Sequence, residues 1–145
     1  MSISVSLPIG MLVNMLLPKR IIVKSKKHLD HIARNCRCLK CGTEGYGIQA
    51  CHIRHTDKLG NSGWGSKGGD IFTVPLCYLC HEKQHTMNEV KFWTCVVKIN
   101  PIQVAYNIAL KSPCLKIKQL AKEGKIYEEA IKYYDNLQAS TNCTT

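Results

Sequence analysis

The sequence has no apolar run long enough to span a bilayer. Its opening stretch ISVSLPIGMLVNMLLP is apolar but is interrupted by Pro8 and Asn14, and no basic residue precedes it. A spanning helix needs about 20 apolar residues, and a secretory signal needs a charged leader and a small-residue cleavage site. We therefore predict no membrane partner and interpret this stretch as an N-terminal extension.

Acidic side chains are also scarce. The 145 residues include 10 Asp and Glu against 20 Lys and Arg, which gives a formal net charge of +10. This balance favours polyanionic partners such as nucleic acid or anionic lipid, although it names no activity.

The nine cysteines do not fit a secreted disulfide framework. Their number is odd, and CxxC pairs stand beside histidines, a pattern typical of metal binding in a reducing compartment. We therefore predict a cytoplasmic protein. Cys95, Cys114 and Cys143 have no partner at ligand spacing and are expected to be core or tail thiols.

Periodicity and turn residues predict helices around two short strands. HLDHIARN predicts a leading helix with His28 and His31 on its surface, and GIQACHI and IFTVPLC predict strands separated by the glycine-rich loop LGNSGWGSKGGD. Further helices are expected over CHEKQHTMNEVKFW, over PIQVAYNIALKS with Asn100 as its cap, and over KQLAKEGKIYEEAIKYYDNLQ. We predict an α+β fold in three parts: an apolar then basic extension (residues 1–27), a metal-stapled module (28–95) and a helical extension (96–145).

Two cysteine knuckles predict a structural zinc site. Cys38 and Cys41 form one CxxC pair, and Cys77 and Cys80 form the second. Two intervening residues let a tight turn direct both sulfurs at one ion, so two turns complete a tetrahedral four-sulfur site. Cys36 is an alternative ligand, and four reduced core cysteines or a redox CxxC are the alternative interpretations.

Two histidines follow the second knuckle. His81 and His85 are four residues apart, so on a helix they share one face and can hold a divalent ion through neutral imidazole nitrogens. His52, at the end of the first predicted strand, is the third candidate, because a zinc shared by the two knuckles would bring this strand near the helix. Ordinary surface or core histidines are the plainer alternative.

The segments CLKCG, ACHIRH and VPLCYLCHEKQH together resemble the HNH endonucleases, also called ββα-metal or His-Me finger nucleases. With HLDHIARN, the glycine-rich loop and E-x-x-FW, the order is similar to phage-borne recombination enhancement (Ref-type) nucleases over residues 28–110. The resemblance implies a zinc-stapled ββα module that hydrolyses DNA phosphodiester bonds and leaves a 5′-phosphate and a 3′-hydroxyl.

The resemblance also implies roles for the three histidines. His52 would be the general base that activates water, His81 would bind a catalytic Mg²⁺ or similar ion, and His85 would be a second ligand or a phosphate contact. An ordinary histidine pKa of about 6.5 suits proton removal at neutral pH, and the ion stabilises charge on the phosphate and leaving oxygen.

The chain departs from the family pattern at two positions. The metal-binding residue usually found before the first histidine is here Cys51, a soft ligand poorly suited to Mg²⁺. We expect the Asp70 carboxylate, in preference to His55, to replace it as a ligand to the catalytic ion. The middle Asn of the pattern is missing, and Asp70 is expected to take over part of its orienting role.

Basic residues near the proposed site are candidate DNA contacts. Those selected are Arg54, Lys58 and Lys67, with further charge from Lys19, Arg20, Lys24, Lys26 and Lys27. Phosphate contacts position a duplex without reading its sequence and weaken steeply with salt. Trp64, in the glycine-rich loop, could wedge or stack on a base. A solvated basic surface, and packing of Trp64 on the hairpin, are the alternatives.

The sequence therefore predicts a metal-dependent DNA endonuclease of low sequence specificity, connected with phage or recombination functions, with a recombinase protein as a further candidate partner. The runner-up is a catalytically silent zinc-binding adaptor for DNA or a recombination protein. A redox or metal-storage protein is the third class considered.

Overall fold

The computed structural model describes residues 22–45, 47–54 and 69–143. The secondary structure comprises a leading helix, a two-stranded hairpin and a series of helices, which confirms the α+β fold class. Most of the predicted apolar extension and of the glycine-rich loop lies outside the described residues. Within the described part of the chain no helix is both long enough and apolar enough to traverse a bilayer.

The leading helix α1 spans Lys26–Asn35. Ser25 caps it, because its side-chain oxygen accepts a hydrogen bond from the His28 backbone N–H at 3.1 Å. His28 and Ile32, one turn apart, lie on the buried face. The predicted helix is confirmed, but the expectation that His28 lies on the surface is wrong: its side chain is fully buried and its Nδ1 lies 2.7 Å from Ser112 Oγ.

The hairpin consists of β1, Ile48–His52, and β2, Thr73–Cys77. The strands are antiparallel, with Ile48 opposite Cys77 and His52 opposite Thr73. Helix α2, Tyr78–Thr86, begins directly after β2. The hairpin and α2 therefore form a continuous ββα unit in which His52 lies at the end of β1.

The predicted helix over CHEKQHTMNEVKFW is divided in two. After α2 the chain turns at Met87 and Asn88 and then forms α3, Glu89–Lys91, which continues as a π-helix, Phe92–Val97. Asn88 causes the new start, since its side chain accepts a hydrogen bond from the Lys91 N–H at 3.0 Å. This break places Glu89 beneath the hairpin instead of on the solvent side of a longer helix.

Three further helices follow. They are α4, Pro101–Leu110, α5, Leu115–Glu123, and α6, Lys125–Ala139. The predicted start of α4 is confirmed, because Asn100 accepts from the Ile102 N–H and Pro101 occupies the first turn. The single predicted final helix is divided at Gly124, whose φ of +76° is a left-handed conformation that glycine adopts at little cost.

One apolar core joins the ββα unit to the C-terminal helices. Its largest fully buried side chains include Phe72, Phe92, Trp93, Tyr127 and Tyr134. The Tyr127 hydroxyl donates to the Ile71 carbonyl at 2.8 Å, so a buried phenol ties α6 to the segment that leads into β2. The hairpin is thus stabilised by packing against the C-terminal helices as well as by the hydrogen bonds between its own strands.

Two of the cysteines predicted to be unpaired thiols are joined. Cys95, in the π-helix, and Cys143, after α6, form a disulfide across a sequence separation of 48 residues. The prediction failed for them because spacing along the sequence cannot reveal a contact made by the folding of three intervening helices. Cys114 is a free, partly buried thiol, as expected.

Candidate metal centre and histidine cluster

The four knuckle cysteines converge at one end of the hairpin. The Sγ atoms of Cys38, Cys41, Cys77 and Cys80 all lie within 4.8 Å of one another. The Sγ atoms of Cys41 and Cys77 are 3.6 Å apart. Zn–S bonds of about 2.3 Å place tetrahedral sulfurs about 3.8 Å apart, so the cluster has the dimensions of a zinc site. These four side chains could bind a structural zinc ion.

Backbone hydrogen bonds shape the first knuckle. The Gly42 N–H donates to the Cys38 carbonyl at 2.9 Å, and the Leu39 N–H donates to the Pro75 carbonyl of β2 at 3.1 Å. The first contact closes the tight turn, and the second fixes that turn against the hairpin. Gly42 has a φ of +75°, which a side chain would oppose.

The electrostatic environment favours thiolates in this turn. The Thr43 side chain and backbone lower the pKa of Cys41 to about 6, and its Oγ1 lies 3.0 Å from the sulfur. Burial opposes ionisation of Cys38, but hydrogen bonds from the backbone of Cys41, Cys77 and Lys40 lower its pKa overall. Burial raises the pKa of Cys80, as do the neighbouring thiols. Thiolates are the metal-binding form of cysteine, so the first knuckle is prepared for a cation.

His52 is held by a buried carboxylate. Its Nε2 lies 2.8 Å from Asp70 Oδ1, and the other Asp70 oxygen accepts the Ser25 backbone N–H at 2.7 Å. The His52 side chain is 43% exposed, whereas Asp70 is 8% exposed, so the ring reaches solvent from a fixed support. The backbone just before Asp70 packs closely against the backbone of Val23, since a Cβ at Gly69 would lie 2.7 Å from the Val23 nitrogen. Glycine at this position therefore allows Asp70 to reach His52.

His81 and His85 meet on the exposed face of α2. Their Nε2 atoms are 3.1 Å apart, and His81 Nδ1 lies 2.6 Å from Gln49 Oε1 of β1. Because the Gln49 oxygen accepts the Nδ1 proton, the lone pair of His81 is on Nε2, facing His85. Burial, and then the nearby charges of His85 and His52, lower the pKa of His81.

The structure brings the predicted residues together in two pairs. His52 is paired with Asp70, and His81 is paired with His85. Among the described residues, the four cysteines are the only group of three or more side chains with ligand atoms close enough to share an ion. Asp70 therefore does not form a three-ligand group with the α2 histidines in this conformation.

Cys51 is not positioned to replace the missing ligand. Its side chain is completely buried, and its thiol donates to Gln84 Oε1 at 3.1 Å. Burial, reinforced by the nearby Glu89 charge, raises the pKa of Cys51 to about 12. The thiol is therefore a neutral core group at neutral pH.

A buried network that the sequence analysis did not identify lies beneath the histidines. The fully buried Glu89 carboxylate accepts the Arg54 backbone N–H at 2.9 Å, Gln84 Nε2 at 2.9 Å and Trp93 Nε1 at 3.3 Å. The Arg54 guanidinium lies 3.4 Å from Glu89 and donates to the Gln84 carbonyl at 3.0 Å. The network therefore connects Arg54, two positions after His52, with Gln84, which directly precedes His85. The only sequence signal was the E-x-x-FW pattern.

The predicted DNA contacts are only partly described. Arg54 keeps a half-exposed side chain, although its guanidinium is engaged by Glu89 and Gln84. Lys58, Trp64 and Lys67, as well as His55, lie outside the described residues. Their predicted roles remain predictions.

Comparison with known proteins supplies a family without an assigned activity. A family model described as a protein of unknown function (DUF968) matches residues 9–94. No curated protein and no solved structure matches the chain. The matched segment contains the four cysteines, the histidine pairs and Glu89, and it covers more than half of the 145 residues. The chain therefore belongs to the DUF968 family.

Proposed function

We propose that this protein is a metal-dependent DNA endonuclease that hydrolyses phosphodiester bonds by an HNH mechanism. The observation that carries the proposal is the arrangement of a His52–Asp70 pair and a His81–His85 pair on the hairpin and its following helix, beside a four-cysteine cluster. A half-exposed imidazole supported by a buried carboxylate suits a general base, and two adjacent imidazoles suit a divalent ion.

The hydrogen bond to Asp70 gives His52 the tautomer that a base needs. An ionised carboxylate only accepts, so the shared proton belongs to His52 Nε2 and the Nδ1 lone pair is available to a water molecule. The carboxylate also stabilises the imidazolium that forms when the proton is taken. Asp70 already accepts hydrogen bonds from His52 and from the Ser25 N–H, which supports its orienting role. The ligand role predicted for Asp70 has less support, because among the described residues its carboxylate does not group with the α2 histidines.

The donor pair on α2 fits a divalent ion. Metal–nitrogen bonds of about 2.1 Å place neighbouring ligands of an octahedral ion about 3.0 Å apart, close to the 3.1 Å between His81 Nε2 and His85 Nε2. To bind an ion with both nitrogens, His85 would carry its proton on Nδ1 in place of Nε2. The Gln49 contact orients the His81 ring, as partners of metal-bound histidines commonly do. When bound, Mg²⁺ or a similar ion would stabilise charge on the phosphate and the leaving oxygen.

The cysteine cluster would act as a structural staple. A zinc ion there would join the first knuckle, the end of β2 and the start of α2, and so fix the helix that carries His81 relative to the strand that carries His52. Structural zinc stabilises small modules by on the order of 10 kcal/mol.

Plasmid cleavage tests the proposal. Purified protein incubated with supercoiled plasmid and Mg²⁺ or Mn²⁺ should nick the DNA, and His52→Ala should lower the rate by about 100-fold or more because the base is lost. Gln103→Ala, an exposed change on α4, is the matched control and should cleave at the wild-type rate. Absence of nicking, or equal rates in wild type and His52→Ala, would refute the assignment.

A catalytically silent zinc-binding adaptor for DNA or a recombination protein is the second candidate. It is favoured by the burial of Cys51 and by the lack, among the described residues, of a third ligand beside His81 and His85. Such a protein would bind zinc and DNA but show no metal-stimulated cleavage on either duplex or single-stranded substrates.

A further inference from the structure

A basic groove runs along the outer face of α1. The cavity is about 470 Å³ and is bounded by Pro113 and by residues spaced four apart on that helix: Lys26, Lys27, Asp30, His31, Arg34 and Asn35. This spacing places them on one face, opposite the buried His28 and Ile32. The residues that line the groove are therefore held in a fixed arrangement by the helix.

The cations of this groove are available to a ligand. Lys26, Lys27 and Arg34 are exposed, and none of them makes an ion pair or a side-chain hydrogen bond to another described residue. Arg37 and Arg54, in contrast, are paired with Glu44 and Glu89. Asp30 is the single carboxylate among the described residues that line the groove, where it faces three cations.

The helix that carries the groove also helps to hold His52 in place. Ser25, the cap of α1, donates its backbone N–H to Asp70, and Asp70 holds His52. At the other end, Arg34 also lines a second depression of about 360 Å³ beside Gly45, Gly47 and Ile48, where β1 begins. Helix α1 therefore lies alongside β1, with its first turn at the proposed catalytic histidine.

We infer that this groove holds the sugar-phosphate backbone of the DNA on one side of the bond that is cleaved; the inference rests on the proposed DNA substrate. From Lys26 to Arg34 the helix rises about 12 Å, and the phosphates of one strand advance about 3.4 Å per nucleotide, so three phosphates can be neutralised in one pass. The groove is concave, which suits a nucleic-acid strand better than a flat membrane. In addition, the buried face of α1 points inward and offers no apolar side chains to a lipid surface.

The test compares two variants with equal losses of charge. Lys26→Ala/Lys27→Ala/Arg34→Ala removes the groove cations, whereas Lys122→Ala/Lys125→Ala/Lys132→Ala removes three exposed cations from α5 and α6. Binding of a fluorescent duplex of arbitrary sequence is measured by anisotropy across a NaCl series without added divalent ion, so cleavage is not required. Circular dichroism and zinc content establish that both variants are folded.

In the groove variant the fall of log K with log salt should be less steep by about 2 to 3, because each lost phosphate contact contributes about 0.9 to the steepness. Binding at physiological salt should be at least about tenfold weaker. The control variant should change the slope by less than about 0.9, the contribution of one phosphate contact. A charge-conserving variant, Lys26→Arg/Lys27→Arg/Arg34→Lys, should retain the wild-type slope. Equal slopes in groove and control variants would overturn the inference, as would binding to phosphatidylserine vesicles without binding to duplex DNA.

The binding series and the plasmid assay together separate this inference from the proposed activity. Nicking by the wild type together with an unchanged slope in the groove variant would refute the groove and leave the endonuclease intact. Groove-dependent DNA binding without nicking would support the groove and refute the endonuclease.

Discussion

Buried His28 should make the stability of the protein depend on pH in a defined window. Burial, followed by the nearby charge of His31, lowers the pKa of His28 from its ordinary 6.5 to about 4. Above pH 6.5 the ring is neutral in both folded and unfolded chains, so its contribution to stability is complete. Between 6.5 and 4 only the unfolded chain binds the proton, so the free energy of unfolding falls as the pH falls.

The size of the effect follows from the shift. Each pH unit within the window costs about 1.4 kcal/mol, so the accumulated loss at pH 4.5 is roughly 2 to 3 kcal/mol. His28→Gln removes the titration, while its amide can still hydrogen-bond to Ser112. The free energy of unfolding of the wild type, minus that of the variant, should therefore fall by this amount between pH 7.5 and pH 4.5.

Urea unfolding of the two proteins at pH 7.5, 6.5, 5.5 and 4.5 measures the difference, and contributions shared by both, including those of the cysteines, cancel. Ser112→Ala is the control, because it removes the 2.7 Å contact with His28 and the 3.0 Å hydrogen bond from the Cys114 N–H but leaves the ring buried. It should lower stability by about 2 kcal/mol at every pH, about 1 kcal/mol for each hydrogen bond, and keep the wild-type slope. Parallel pH profiles for wild type and His28→Gln would contradict the reasoning.

Four further outcomes are expected. Cys80→Ser should reduce bound zinc, measured by mass spectrometry, by about tenfold or more, whereas Cys114→Ser should retain it; equal zinc in both would argue against the centre. Asp70→Asn should fold but cleave DNA at least about tenfold more slowly, because the amide cannot stabilise the imidazolium; an unchanged rate would remove Asp70 from the mechanism. Glu89→Gln should cost about 3 kcal/mol in urea unfolding because it breaks a buried ion pair, and a loss below 1 kcal/mol would contradict that role. Gly124→Ala should cost about 1 kcal/mol because φ is +76° there and the new Cβ would lie 3.3 Å from Glu128 Oε1; a stabilised variant would show that the linker can relax.

The knuckles and helix starts could be predicted because their signals are local. Two residues between cysteines fix the distance between their sulfurs, and Asn100 followed by Pro101 specifies a cap and a first turn within three residues. The convergence of both knuckles followed from the chemistry of a shared ion. The helix break at Gly124 was missed because buried residues at helical spacing continue across it, from Ile117 and Ala121 to Tyr127 and Ala130. The break at Asn88 was missed although asparagine is a favoured N-cap residue.

The tertiary structure decided how the histidines are supported, although an orienting role for Asp70 was expected from the sequence. The Asp70 carboxylate reaches His52 across 18 residues, and Glu89 reaches Arg54 across 35. Neither distance has a periodic signature, because each contact depends on how the hairpin packs against distant helices. The burial of His28 against Ser112, 84 residues away, and the Cys95–Cys143 pairing have the same origin. The sequence by itself determined the ligand chemistry, through residue type and short spacing, whereas burial and long-range packing determined which of those groups are held, neutralised or left exposed.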